Sequence, residues 1–208
     1  MESKLNLSQR VAVEVGRSGK PRGSVQSKLE LQGNCKVEHW RNGEHMATYT
    51  FNNGITNQGK NYLLDDGFDL ATRVDAWYML LVDNSGFTAL ANDDIYDDIN
   101  QAGNGWDEFD DYTDPANADS ALTRPLWNPD AASGQAISNS SQVVFDITAG
   151  GTVKGLGIVG NKAAATADAQ AKGDHAADGY LWATALFDQG DTAVVNGDQL
   201  KITYTISA

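Results

Sequence analysis

The sequence predicts an all-β protein, an antiparallel β-sandwich of jelly-roll or Ig-like type, for three reasons. The first is alternation: near the end of the chain Leu200, Ile202, Tyr204 and Ile206 face one way, and Lys201, Thr203, Thr205 and Ser207 the other. A period of two residues is the pattern of a strand buried on one face. The second is a pair of nearly continuous apolar runs, residues 76–82 and 180–187, which read as central strands covered on both faces. The third is punctuation by turn dipeptides such as Asn42-Gly43 and Asn196-Gly197, as expected between the short strands of a sandwich.

Along the chain, Val11, Val13 and Val15 alternate with Ala12 and Glu14. Met46, Thr48 and Thr50 then alternate with Ala47, Tyr49 and Phe51, giving one aromatic face. One short helix is predicted near residues 55–66, where Ile55, Gly59, Tyr62 and Leu63 recur at helical spacing. Asn52 or Asn53 would serve as its N-cap and Gly67 as its stop. Val143, Phe145 and Ile147 face away from Gln142 and Asp146, which marks another half-buried strand. Two long segments lack a clear period. The acidic one, densest over residues 92–114, sets Asp93, Asp94, Asp97, Asp98, Asp107, Glu108, Asp110, Asp111 and Asp114 around Trp106, Phe109 and Tyr112. The Ala-rich one, residues 160–179, reads as a short helix or a mobile loop. Long loops inside a domain are functional, ordered by a partner, or disordered.

The 208 residues include 15 Lys/Arg and 28 Asp/Glu, a net charge of −13. Residues 1–62 carry nine Lys/Arg against five Asp/Glu, and the remainder carries six against 23. A mildly basic front on an acidic body predicts two surfaces with different partners. The basic residues of the front (Lys4, Arg10, Arg17, Lys20, Arg22, Lys28, Lys36, Arg41 and Lys60) stand singly. No nucleic-acid partner is expected, because the acidic body repels phosphate and no basic and aromatic patch is present to stack bases. No apolar run approaches the ~20 residues of a membrane helix, and the opening MESKLNLSQRVAVEV lacks a signal-peptide core, so no membrane partner is expected. The single cysteine, Cys35, leaves no internal disulfide and no cysteine metal cluster.

Patterns that carry chemistry are incomplete. Residues 54–61 match the phosphate-binding spacing GxxxxGK, but Asn61 stands where Ser or Thr must hold magnesium. Here Asn53-Gly54 reads as a turn and Lys60 as a solvated helix residue. The acidic segment lacks the central glycine and closing glutamate of a calcium loop. A looser calcium site from Asp97, Asp98, Asp110 and Asp111 stands as the alternative to a solvated acidic surface. His39 and His45 flank the Asn42-Gly43 turn without a third ligand at zinc spacing. Cys35 has no nucleophile motif around it. Of the tryptophans, Trp77 and Trp182 lie in apolar runs and read as core, while Trp106 and Trp127 lie in polar loops and read as interface residues. A carbohydrate platform made of these four is the alternative. No catalytic, cofactor-binding or metal-binding residue is assigned, and neither enzymatic activity nor a cofactor is expected.

From about residue 49 onward the chain resembles a group of tailed-bacteriophage virion structural proteins. The signatures are Asn53-Gly54-Ile55-Thr56-Asn57 with Gly59 and Asn61-Tyr62-Leu63-Leu64-Asp65, then Trp77-Tyr78 and Asp83-Asn84-Ser85-Gly86-Phe87-Thr88-Ala89-Leu90. Gly105-Trp106, Arg124-Pro125-Leu126-Trp127, Gln135-Ala136-Ile137-Ser138-Asn139-Ser140 and Val143-Val144-Phe145-Asp146-Ile147 follow. Thr152-Val153-Lys154-Gly155-Leu156, Leu181-Trp182-Ala183-Thr184-Ala185-Leu186-Phe187 and Val195-Asn196-Gly197-Asp198-Gln199-Leu200 complete the set. The resemblance implies a particle component located in the virion. Its two usual roles are capsid decoration (cement), with the major capsid protein as partner, and a tail or fibre part contacting the tail machinery or host surface. Decoration is the expected role, since a fibre shaft should show repeats or heptads and none is present. The chain is then expected to divide into a β-rich anchoring arm, residues 1–48, and a sandwich body, residues 49–208, and to act as a homo-oligomer, dimer or trimer. The acidic and Ala-rich stretches are longer than the pattern usually has.

Overall fold

Strand makes up 49% of the chain beside one short helix, so the protein is all-β, and every strand pairing among the described residues is antiparallel. The structure, a computed structural model, describes residues 11–15, 21–25, 30–68, 73–117, 122–162 and 167–208. It divides into two compact units, Met1–Leu31 with Ala208, and Gln32–Ser207. In the first, β1 (Val11–Val15) and β2 (Pro21–Val25) form a two-stranded sheet in the register Val11↔Val25 to Val15↔Pro21. Of the basic residues predicted to face a partner, Lys4, Arg10, Arg17, Lys20 and Lys28 lie outside the described residues.

The second unit opens with β3 (Gln32–Arg41) and β4 (Glu44–Ile55). Asn42 and Gly43 join them with φ of 51° and 80°, the left-handed geometry of a two-residue hairpin turn whose twist matches its strands. After α1 (Asn57–Phe68) come β5 (Val74–Asp83), β6 (Glu108–Phe109), β7 (Tyr112–Thr113), β8 (Leu126–Trp127) and β9 (Ala136–Ser138). The unit ends with β10 (Val143–Ile147), β11 (Gly151–Lys162), β12 (Gly179–Leu186), β13 (Thr192–Val194) and β14 (Asp198–Ser207). One sheet runs in the order β6-β5-β11-β12-β4-β3-β14-β10-β7 and nearly closes into a barrel- or sandwich-like arrangement. β4 joins its halves: most of the strand pairs with β3, while its last residues Gly54 and Ile55 pair with Thr184 and Ala183 of β12.

The arm and body meet at residue 31/32, which moves the predicted boundary from 48/49. β3 pairs with β14 over its whole length, from Arg41↔Asp198 to Gln32↔Ser207, so residues 32–48 are part of the body. The predicted alternations appear as burial: Ala47, Tyr49 and Phe51 of β4, Val143, Phe145 and Ile147 of β10, and Leu200, Ile202 and Tyr204 of β14 are the less exposed sets. The two apolar runs become β5 and β12, and residues 79–82 and 181–185 are buried on both faces.

The helix starts two residues later than predicted, with a different cap. Asn52, Asn53 and Gly54 continue β4 instead of turning, and Asn53 is buried with its Nδ2 donating to Tyr204 Oη at 3.0 Å. Thr56 is the cap: its Oγ1 accepts from Gly59 N at 3.0 Å and donates to Leu181 O at 2.5 Å. The same hydroxyl therefore closes the helix N-terminus and ties it to β12. The helix passes through Gly67 and ends at Phe68.

At the end of the β3–β4 hairpin, the fully buried Asp198 carboxylate accepts from Arg41 Nε and Nη2 at 2.7 and 2.8 Å and lies 2.8 Å from His39 Nε2. The Arg41 guanidinium holds the Asp198 carboxyl well below the usual range, against the opposing effect of burial. A carboxyl depressed in the folded state stabilises the fold above its unfolded pKa, and that stabilisation fades as pH falls toward the folded value. The stability difference between wild type and Asp198→Asn, measured by urea denaturation, is expected to be constant from neutral pH to about pH 5 and to shrink below it. A difference that grows on acidification would contradict this linkage.

Candidate functional site

The acidic and Ala-rich segments converge on one side chain, Arg124, which is fully buried. Its Nε and Nη2 hold Glu108, the shortest contact being Nη2 to Oε2 at 2.7 Å. Nη1 donates to Tyr96 Oη and Ala169 O at 3.1 Å each, and Nη2 also donates to Asp174 O at 3.0 Å. Glu108 additionally accepts from Tyr112 Oη and Gly173 N, both at 2.9 Å, and Tyr96 Oη donates to Asp174 Oδ1 at 2.9 Å. Three stretches of chain far apart in sequence are clasped at one ion pair. Burial opposes the charge on Arg124, but the adjacent Glu108 outweighs it and leaves the guanidinium more firmly protonated than usual. Burial pushes the Tyr96 and Tyr112 hydroxyls up, so both stay neutral donors.

A guanidinium has five N–H groups, and all five are used here. The clasp therefore has no donor left for a phosphate or carboxylate ligand and acts as a structural junction. Around it Tyr96, Ile99 and Trp106 of the acidic segment pack with Leu80, Val82, Val159, Ala167, Ala169 and Leu181. The solvated acidic surface holds for Asp93, Asp107, Asp110 and Asp111, which are exposed, and is corrected for Asp94, Glu108 and Asp114, which are buried; the segment's aromatics anchor it to β5 and β11. The described part of the Ala-rich stretch forms turns and a bridge, Thr123↔Ala171, and no helix, while residues 163–166 lie outside the described residues.

The tryptophans also need correction. Trp106 and Trp127, predicted as interface residues, are 2% and 5% exposed. Their indole N–H groups donate to Asp94 Oδ2 at 3.1 Å and Asn139 Oδ1 at 3.2 Å. Polar neighbours in sequence thus serve as internal hydrogen-bond partners, which allows a tryptophan to be buried. Trp77, Trp127 and Trp182 line one groove of about 570 Å³ with Tyr62, Asp66 and Arg73; Trp106 lies elsewhere. Only Trp77 among the three is partly exposed, so the groove offers a sugar ring one aromatic surface and not a platform of four.

The remaining candidates are not brought together. His39 is buried against Asp198, whereas His45 is exposed and bonds Thr48 Oγ1. Asp98 accepts from Ile95 N and Asn104 Nδ2, while Asp110 and Asp111 line a separate cleft with Asp83. Among the described residues no three His, Cys, Asp or Glu side chains are placed to share a metal ion. Burial pushes the Cys35 thiol up to about 12, far from a reactive thiolate at neutral pH. Lys60 is exposed on α1, as expected, and the strand before it is antiparallel, which removes the frame that a phosphate loop needs. The Arg124 clasp was missed at the sequence level. Its only signal was an arginine within Arg124-Pro125-Leu126-Trp127 in a chain short of cations. No helix among the described residues is long and apolar enough to cross a membrane. Comparison with known proteins gives no match, whether to a family model, a curated protein or a solved structure.

Proposed function

We propose that this chain is a non-enzymatic virion structural protein of a tailed bacteriophage, and that it decorates the outer surface of the capsid by binding the major capsid protein. The observation that carries this reading is the charge difference between the two compact units. Residues 1–31 hold six Lys/Arg against three Asp/Glu, and residues 32–207 hold nine against 25. A basic hairpin unit joined in sequence to an acidic unit suits an anchor laid on an acidic shell with the acidic unit turned to solvent. The resemblance to phage virion proteins supports the same reading. Several of its polar and glycine positions serve internal structure: Asn53 holds Tyr204, Gly59 seats the helix, Arg124 forms the clasp and Asn139 holds Trp127. A motif spent on scaffold geometry is what a building block requires.

The test is copy number in purified particles of the encoding phage, by quantitative mass spectrometry against the major capsid protein. Roughly one copy per capsid subunit, or a simple fraction of one, is the expected result for a symmetric shell. A handful of copies would instead favour the tail or fibre role. Absence from the particle would overturn both.

A further inference from the structure

We propose that the body forms a dimer through the free edge of β4, two copies pairing antiparallel about a two-fold axis at Tyr49. β4 is paired with β3 along one side, but on its other side only Gly54 and Ile55 have a strand partner. That partner, β12, ends at Leu186, and the next residue continues along β11, with Phe187 N donating to Lys154 O at 2.8 Å, while its ring packs on Tyr49 and Phe51 and its backbone makes no bond to β4. Among the described residues nothing pairs with the outer edge of residues 47–53. Such an edge presents a row of unpaired N–H and C=O groups, and proteins commonly block it with lysine, proline, other charges or a bulge. Residues 45–53 contain no Lys, Arg, Asp, Glu or Pro. The one blocking device, a bulge at Met46 where the register passes from His39↔Ala47 to Trp40↔His45, leaves the rest of the edge regular.

The sequence of the strand itself selects a second copy as the occupant. Pairing about Tyr49 sets Thr48 against the second copy's Thr50, Ala47 against its Phe51, and the two Tyr49 rings side by side. Threonine pairs, aromatic pairs and small-against-large pairs are favourable across antiparallel strands, and one strand supplies both sides of an isologous contact. Two acidic bodies repel over most of their surface, so an uncharged stretch is where they can approach. Thr48 and Thr50 are exposed, while Tyr49 is held by stacking on Phe187 at 6.3 Å between centroids. The proposal does not depend on the virion reading and can fail or stand independently of it.

The experiment is sedimentation of the full chain at concentrations up to about 100 μM, beside two double variants checked by circular dichroism. Wild type is expected to be a dimer. Thr48→Lys with Thr50→Lys opposes like charges across the axis and is expected to weaken dimerisation at least about tenfold. Thr48→Lys with Thr50→Glu sets opposite charges across the same axis and is expected to restore the dimer. A monomeric wild type, which would leave the edge to the strand of another protein, overturns the proposal. So does a dimer indifferent to the lysine pair, or one lost equally in both variants. Should the lysine pair fail to fold, amide exchange of the wild type decides: protection in residues 47–53 that rises with concentration supports the pairing, and protection independent of concentration overturns it.

Discussion

Replacing Arg124 with methionine is expected to cost about 3–5 kcal/mol, the usual cost of removing one partner from a buried ion pair. Glu108 would keep its bonds from Tyr112 and Gly173 but lose the charge that offsets its burial, while Ala169 O and Asp174 O would lose their donor. For a chain of this size each kcal/mol lowers Tm by about 2–4 °C, so a drop of roughly 6–20 °C should be seen in a circular dichroism melt. Arg124→Lys should recover only part of the loss, since a single ammonium cannot reproduce the two-pronged contact with Glu108. Glu108→Leu together with Arg124→Met should be milder than the methionine change alone, because no unpaired charge remains buried. A Tm within about 2 °C of wild type for Arg124→Met would mean that the clasp contributes little to holding the two long segments.

Gly59→Ala and Gly67→Ala should move stability in opposite directions although both lie in α1. A Cβ on Gly59 would stand 2.3 Å from Trp182 O, a backbone atom of β12, whereas one on Gly67 would meet nothing within 4 Å. At Gly59 the helix must lift off the strand, straining the Thr56 cap that joins both elements. Overpacking of this kind costs about 1–3 kcal/mol and more when the obstacle is backbone, which exceeds the helix-propensity gain of about 1 kcal/mol. At Gly67 only the gain remains. Denaturant midpoints should therefore fall for Gly59→Ala and rise for Gly67→Ala. A rise for both would show that the helix seat on β12 is loose.

Gly59 also shows how far the pattern could be read. The spacing of Ile55, Gly59, Tyr62 and Leu63 shows a helix, but a glycine inside it lowers helix propensity. The reason a glycine stands there is the approach of β12, a strand more than a hundred residues away. The cap was assigned to Asn52 or Asn53 because both residue types favour caps, yet Asn53 is held inside β4 by Tyr204. Local preference identified an element and its approximate place, and a distant partner decided its first residue. The arm boundary moved for the same reason: residues 32–48 look no different from the strands before them until β14 is known to pair with β3.

The sequence by itself determined the class and most of the elements. Alternation and apolar runs depend only on which side chains must leave water, and every strand faces that demand locally. The acidic and Ala-rich segments were another matter. Charge density implied a solvated surface, and polar surroundings implied exposed Trp106 and Trp127, because sequence neighbours were taken as spatial surroundings. Tertiary structure decided otherwise, since a charged group can be buried once its partner is supplied. Arg124 supplies it to Glu108, Asp94 supplies it to the Trp106 indole, and Asn139 to that of Trp127. Those pairs lie 12 to 16 residues apart in stretches without regular period, and only the folded backbone brings them to hydrogen-bonding distance.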